Sequence, residues 1–215
     1  MNEWIWLPLA VLLAYLIGSL SFAVLVSRLL GLSDPRTYGS QNPGATNVLR
    51  SGNKIAAALT LLLDAFKGWL PVWLVLHWGG EWGLGSAALA AVGLAAFLGH
   101  VYPVFFRFQG GKGVATAAGV LLGFEPLLGL LVLLSWVLTL WLARYSSLSA
   151  IVAALAAPLL YGLVGPWAGL WPLQVPLLLA IAAMSLLLLW RHAGNIQRLL
   201  AGQESPVGRK KPPTA

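Results

Sequence analysis

The 215-residue chain contains no cysteine. That excludes a disulfide, a thiolate nucleophile and any Cys-ligated metal, and it leaves the redox compartment undetermined. Acidic residues are also scarce: six stand against 13 lysines and arginines, and only Asp34 and Asp64 are aspartates. No His-x4-Asp pair exists, because the positions five residues beyond the three histidines are Trp82, Phe105 and Gln197. A two-carboxylate metal site of the lipid-phosphotransferase kind therefore cannot be assembled from aspartates, and neither metal nor cofactor is expected. Charged residues make up 9% of the chain and hydrophobic ones 59%. So little polar surface cannot cover a soluble globule, and the chain belongs in lipid.

Apolar runs near the length needed to span a bilayer, about 20 residues, occur at 4–27, 55–78, 84–106, 127–143, 147–165 and 172–190. The first follows Glu3 and lacks both a basic flank and a small-residue cleavage site, so it reads as a retained helix rather than a secretory signal. A seventh run, Val114 to Phe124, has 11 residues and ends at Glu125-Pro126. At about 1.5 Å per residue it rises only about half a bilayer.

Charge placement decides whether this short run crosses. If it does, Arg28, Arg36, Arg50, Lys54, Arg107, Lys112, Arg144, Arg191, Arg198, Arg209, Lys210 and Lys211 share one face, while Glu3, Glu81 and Glu125 lie on the other. If it does not, Arg144 and the basic tail are stranded on the far side. Cytoplasmic loops collect Lys and Arg, so the expected fold is all-α and polytopic. It has seven transmembrane helices, one of them short, with the N-terminus outside and the C-terminus cytoplasmic. The same rule explains the net charge of +7 without nucleic acid. Trp4, Trp6, Trp78, Trp82, Trp167 and Trp171 fall at the outer ends, as an interfacial belt requires. Residues 1–202 read as one membrane domain and 203–215 as a disordered basic tail.

The inner loops concentrate Gly, Ser, Asn, Thr and cations in three stretches. In Gly39-Ser40-Gln41-Asn42-Pro43-Gly44-Ala45-Thr46-Asn47, flanked by Arg36 and Arg50, the glycines permit positive φ, so successive N–H groups can line a concavity suited to phosphate. The plainer alternative is a polar turn with Asn53 capping the next helix. Gly110-Gly111-Lys112-Gly113 opens the short helix, whose positive end and Lys112 favour an anion. It is not a Walker A loop, since Phe106 stands at the first glycine position and Gly113 at the Ser/Thr position. A short, glycine-interrupted segment places its polar start below the membrane plane, in a cavity lined by protein. In the third stretch His192 and Asn195 share a helix face near Arg191 and Arg198; the alternative there is a basic helix on anionic lipid. Arg144-Tyr145-Ser146-Ser147-Leu148-Ser149 is placed to cap a helix, and His100 ends the third span. Asp64 and Lys67, three apart inside the second span, should neutralise each other in the bundle interior.

Taken in order, Gly18–Ala23, Gly39–Arg50, Leu63–Gly68, Gly99–Pro103, Gly110–Thr116, Arg144–Ser149 and Asn195–Leu200 resemble the motifs of the bacterial membrane-integral acyl-phosphate:glycerol 3-phosphate acyltransferases. The resemblance spans nearly the whole chain; Ala193 and Gly194 depart from it, standing where charged or polar residues are expected. It implies transfer of a fatty acyl group from acyl phosphate to the 1-hydroxyl of glycerol 3-phosphate, giving lysophosphatidic acid and phosphate. The implied setting is the bacterial cytoplasmic membrane, with the site facing the cytoplasm, membrane lipid around it, and functional coupling to a soluble enzyme that makes acyl phosphate. By the same resemblance Ser40, Asn47, Lys112 and His192 are catalytic. The acyl phosphate falls to Gly39, Ser40, Asn42, Gly44, Ala45, Thr46 and Asn47. Glycerol 3-phosphate falls to Arg50, Lys112, His192 and Asn195 beside Gly110, Gly111 and Gly113, with Ser147 and Ser149 as lesser candidates. A transporter of a phosphorylated metabolite would also use a cationic inner cavity. The odd span count without repeats speaks against it.

Overall fold

The computed structural model describes residues 3–207, with side chains from residue 5 onward. The side chains of Glu3 and Trp4, and residues 208–215 with Arg209, Lys210 and Lys211, lie outside the described residues. The helices are α1 (Glu3–Gly18), α2 (Phe22–Leu29), α3 (Ala45–Leu49), α4 (Lys54–Trp78), α5 (Ser86–Val101), α6 (Val114–Phe124), α7 (Pro126–Ala143), α8 (Ser146–Leu159), α9 (Gly165–Trp167), α10 (Val175–Arg191) and α11 (Ala193–Leu200). Local chemistry sets several ends. Asn53 accepts from the Ala56 amide at 2.9 Å to start α4, Pro126 opens α7, and Arg144 closes it in a left-handed conformation with φ 65°.

Four continuous helical stretches, Lys54–Trp82, Ser86–Phe106, Pro126–Ala143 and Ser146–Trp167, are long and apolar enough to cross a membrane. Two bent pairs, Ile5–Gly18 with Phe22–Leu29 (44°) and Val175–Arg191 with Ala193–Leu200 (56°), raise the number to six if each pair is one span. These coincide with the six long apolar runs, and the short run is the separate helix α6. The outward surface is what lipid requires. On α7, for example, only Leu128, Gly129 and Val132 are buried, while Leu130, Leu133, Leu134, Val137, Leu138, Trp141 and Leu142 are exposed.

Small residues let the helices close on one another. A Cβ on Gly119 would overlap the Ala65 carbonyl, one on Gly68 the Thr116 carbonyl, and one on Gly123 the Val72 side chain. From the Gly68–Thr116 contact to the Val72–Gly123 contact both helices advance in the same direction, so α4 and α6 run parallel, and Gly119 and Gly123 form a GxxxG seam. Gly18 and Gly99 join α1 to α5 in the same way, against Ala96 and Tyr15 carbonyls. The register fixes the depth of α6. Thr116, in its first turn, meets Gly68, about 20 Å along α4 from Lys54 at about 1.5 Å per residue. The Gly110–Gly113 loop therefore lies deep within the bundle.

Two expectations change. Trp171 is 5% exposed and donates its indole N–H to the Tyr161 carbonyl at 3.1 Å, so it belongs to the core and not to a lipid-facing belt. Trp6 and Trp82 stack at the end of the bundle away from the polar loops, with ring centroids 5.4 Å apart. The tail was expected to be disordered from residue 203, yet its start folds back. The Val207 amide donates to the Arg144 carbonyl at 2.8 Å, and the Glu204 carboxylate is held by three side chains. Only a carboxylate that meets a cluster of donors could draw a short polar segment out of water.

Candidate active site

The three donor-rich loops and the start of α8 converge at one end of the bundle. The 39–47 loop folds around Asn47, which is 2% exposed. Its Nδ2 donates to the carbonyls of Pro35 (2.6 Å) and Tyr38 (3.1 Å), and its Oδ1 accepts from the Ser40 amide (3.0 Å) and Arg50 (3.5 Å). Every polar atom of that amide is used inside the loop, so Asn47 shapes the nest and has no donor left for a ligand. The expected place of Asn47 among the reacting groups thus has a loop-shaping role beside it. Gly39 takes φ 60°, and a Cβ there would overlap Asn47 Oδ1. Gly44 does not use its freedom: φ −155° is extended backbone, and Gln41 (φ 56°) makes the second left-handed turn instead. Ser40, Thr46 and Arg50 are exposed at the loop surface, with Asn42 and Ala45 half-buried beside them. Thr46 Oγ1 lies 3.2 Å from Ser146 Oγ, which ties this loop to α8.

The Gly110–Gly113 loop packs against the first. A Cβ on Gly111 would meet both the His100 ring and the Pro43 carbonyl, so glycine is required where the two loops touch. Gly113 caps α6 with φ 86°. Arg191 Nη2 donates to the carbonyls of Gly110 (3.1 Å) and Gly111 (3.3 Å), which places the end of α10 over this loop. Lys112 donates to Asn195 Oδ1. Burial, with Arg198, Arg191 and Arg50 nearby, brings the Lys112 pKa down to about 8, although Glu204 acts in the opposite sense.

His192 sits at the α10–α11 break, just beyond the last long helix, and is 3% exposed. Its Nδ1 lies 2.8 Å from the Leu188 carbonyl. A carbonyl only accepts, so Nδ1 carries the proton and a neutral ring keeps its lone pair on Nε2. Burial and the Lys112 charge push the imidazole down to about 4, which keeps it neutral at ordinary pH.

Glu204 is the residue that motif reading missed. Its carboxylate accepts from Ser147 (2.7 Å), Asn195 (2.6 Å) and Arg198 (2.7 Å). Burial would raise its pKa, but those three donors together hold it below the ordinary value. It sits two residues beyond the assigned domain, in a stretch whose composition reads as tail. The donors gathered there (Ser147, Asn195, Arg198 and, through Asn195, Lys112) are the kind that hold a phosphate oxygen. Ser149, in contrast, is fully buried and donates to the carbonyl of Tyr145, the N-cap of its helix, at 2.9 Å. Among the described residues no group of three or more His, Asp or Glu could hold a metal ion.

The chain is similar to known proteins along nearly its whole length. The model of the glycerol-3-phosphate acyltransferase family matches residues 8–202. The glycerol-3-phosphate acyltransferase of Paraburkholderia phytofirmans is 60% identical over 199 residues, covering 92% of this chain and 89% of that one. That of Burkholderia cenocepacia is 60% identical over 207 residues, covering 94% and 92%. Among solved structures, PlsY (YgiH), an integral membrane glycerol 3-phosphate acyltransferase, superposes in its glycerol 3-phosphate form with a TM-score of 0.84 at 39% identity, over 94% of this chain and 96% of that one. Its lysophosphatidic acid form gives 0.82 at 38%, over 93% and 94%. The all-helical fold is thus shared along nearly the full length, and the chain belongs to the glycerol-3-phosphate acyltransferase family.

Proposed function

We propose that this protein transfers a fatty acyl group from acyl phosphate to the 1-hydroxyl of glycerol 3-phosphate, giving lysophosphatidic acid and inorganic phosphate. The observation that carries the reading is the buried anion-binding constellation around Lys112, at the N-terminus of a helix that begins deep in an apolar bundle. Both substrates carry phosphate and one carries a lipid tail, so a cationic pocket reached from both water and lipid suits them. In this reading the bundle crosses the bacterial inner membrane seven times, counting α6, with the polar end in the cytoplasm. Gly39 to Thr46 cradle the acyl phosphate through backbone amides, with Ser40 at the loop surface. Lys112, Arg50, Asn195 and Ser147 take glycerol 3-phosphate, displacing some of the contacts that Glu204 now makes.

Acyl phosphate is a mixed anhydride, so positioning and stabilisation of the developing oxyanion supply most of the acceleration. The hydroxyl oxygen bonds to the acyl carbon as the bond from that carbon to the phosphate oxygen breaks. The departing phosphate takes the hydroxyl proton. A neutral His192 with Nδ1 committed to Leu188 presents Nε2 for orienting the acceptor, and at a pKa of about 4 it is a weak base. A limb in the kcat profile of the parent that is missing from the residual activity of His192→Gln would make His192 the base instead.

Purified protein in detergent, given acyl phosphate and labelled glycerol 3-phosphate, should yield labelled lysophosphatidic acid. No product, combined with movement of glycerol 3-phosphate into liposomes, would replace the reading with a transporter.

A further inference from the structure

We infer that His100, set beside the buried Asp64–Lys67 pair, is a positioning residue that fixes the Gly110–Gly113 loop and so places the Lys112 ammonium for glycerol 3-phosphate. The inference rests on the role proposed for Lys112. It begins at the break between α1 and α2, where Ser19 to Ser21 leave the helix inside the bundle. A carbonyl freed at such depth has no water to turn to and must find a partner in the protein. Lys67 supplies it: Nζ donates to the Leu20 carbonyl at 2.6 Å. Asp64 compensates the ammonium, with Oδ1 2.7 Å from Nζ, and the same oxygen lies 3.6 Å from His100 Nδ1. All three side chains are less than a tenth exposed.

His100 in turn meets the loop at Gly111. Its backbone carbonyl accepts from the Gly111 amide at 3.2 Å, and its ring packs so close to the Gly111 α-carbon that a Cβ there would overlap Nε2. Gly110 packs on the same carbonyl. Arg191 holds the outer side of this turn through the Gly110 and Gly111 carbonyls, so the backbone next to Lys112 is clamped between α5 and α10. Because Gly111 also abuts the Pro43 carbonyl, its position sets the gap between the two loops proposed to hold the two substrates. A pair that served burial alone would need only Lys67 and Asp64. The placement of His100 between Asp64 and Gly111 gives that pair a route to Lys112.

The test separates positioning from structure. A buried ion pair can be exchanged for apolar residues of similar size with little loss of stability, so Asp64→Leu combined with Lys67→Met should remain folded in detergent, with a melting temperature close to that of the parent. Its KM for glycerol 3-phosphate should rise about tenfold or more, while kcat and the KM for acyl phosphate change by less than about threefold. His100→Gln, which keeps a donor beside Asp64 and bulk beside Gly111, should keep a KM for glycerol 3-phosphate nearer the parent's than His100→Leu does. Unchanged KM in the folded double variant overturns the inference. So does a fall in apparent kcat that tracks the folded fraction while both KM values stay at the parent's. Should the double variant fail to fold, the two His100 variants decide, and equal KM values in them overturn it. A parent protein without acyl transfer would refute the proposed activity instead; the same variants are then compared by glycerol 3-phosphate calorimetry, where equal affinities overturn the positioning role.

Discussion

Lys112 joins the sequence to the chemistry most directly. Its ammonium is charged below a pKa of about 8 and discharges as pH rises through that value. Since kcat/KM reports the free enzyme, kcat/KM for glycerol 3-phosphate should fall on the alkaline side with a midpoint near 8. Lys112→Arg should flatten that limb, because a guanidinium stays charged, and Lys112→Ala should lower turnover by about 100-fold or more. Glu204 raises the Lys112 pKa, so Glu204→Gln should move the alkaline limb to lower pH in the same titration. Motif reading singled out Lys112, His192, Asn195 and the first loop because their types and spacing suit anion binding locally, and the structure gathers them at one end of the bundle. It missed Glu204 and the loop-holding roles of His100 and Arg191, since each acts through a partner between 9 and 81 residues away in the chain. It also gave Asn47 no part in shaping its loop. Spacing along a loop does not reveal that a side-chain amide is consumed in folding the loop itself.

Among the elements, α6 explains why the site is sunk into the bundle. Its length and glycine-rich start were legible, as was the break at Glu125-Pro126. Its parallel partnership with α4 was not, because the seam of Gly119 and Gly123 lies in a run that reads as uniformly apolar. A Cβ at Gly119 has no space against the Ala65 carbonyl, so Gly119→Leu should push α6 off α4 and lower both the melting temperature and the yield of folded protein in detergent. A smaller effect is expected at the start of α4. Asn53→Ala removes the cap to the Ala56 amide and should cost about 1 kcal/mol, measured as a modest fall in thermal stability with kcat intact.

For the whole molecule, the absence of cysteine becomes an experimental advantage, because any single introduced cysteine reports alone. If the bundle crosses seven times with the polar end inside, Glu81→Cys should react with an impermeant thiol reagent in intact cells, and Arg107→Cys only after the membrane is opened. The reverse pattern would invert the topology. Charge placement along the chain predicted that the polar loops share a side, and contacts such as Thr46 with Ser146 and Lys112 with Asn195 do gather them at one end. The folded start of the tail was hidden, since few apolar residues announce it and it is held by the Glu204 carboxylate and by backbone bonds such as that of Val207 to Arg144. The account as a whole stands on acyl transfer at the Lys112 pocket. Its most direct test is the rate of labelled lysophosphatidic acid formation from acyl phosphate and glycerol 3-phosphate, by parent protein and Lys112→Ala side by side at matched thermal stability. Rapid product from the parent and almost none from the variant is the predicted result. Equal rates from two equally folded proteins would contradict it.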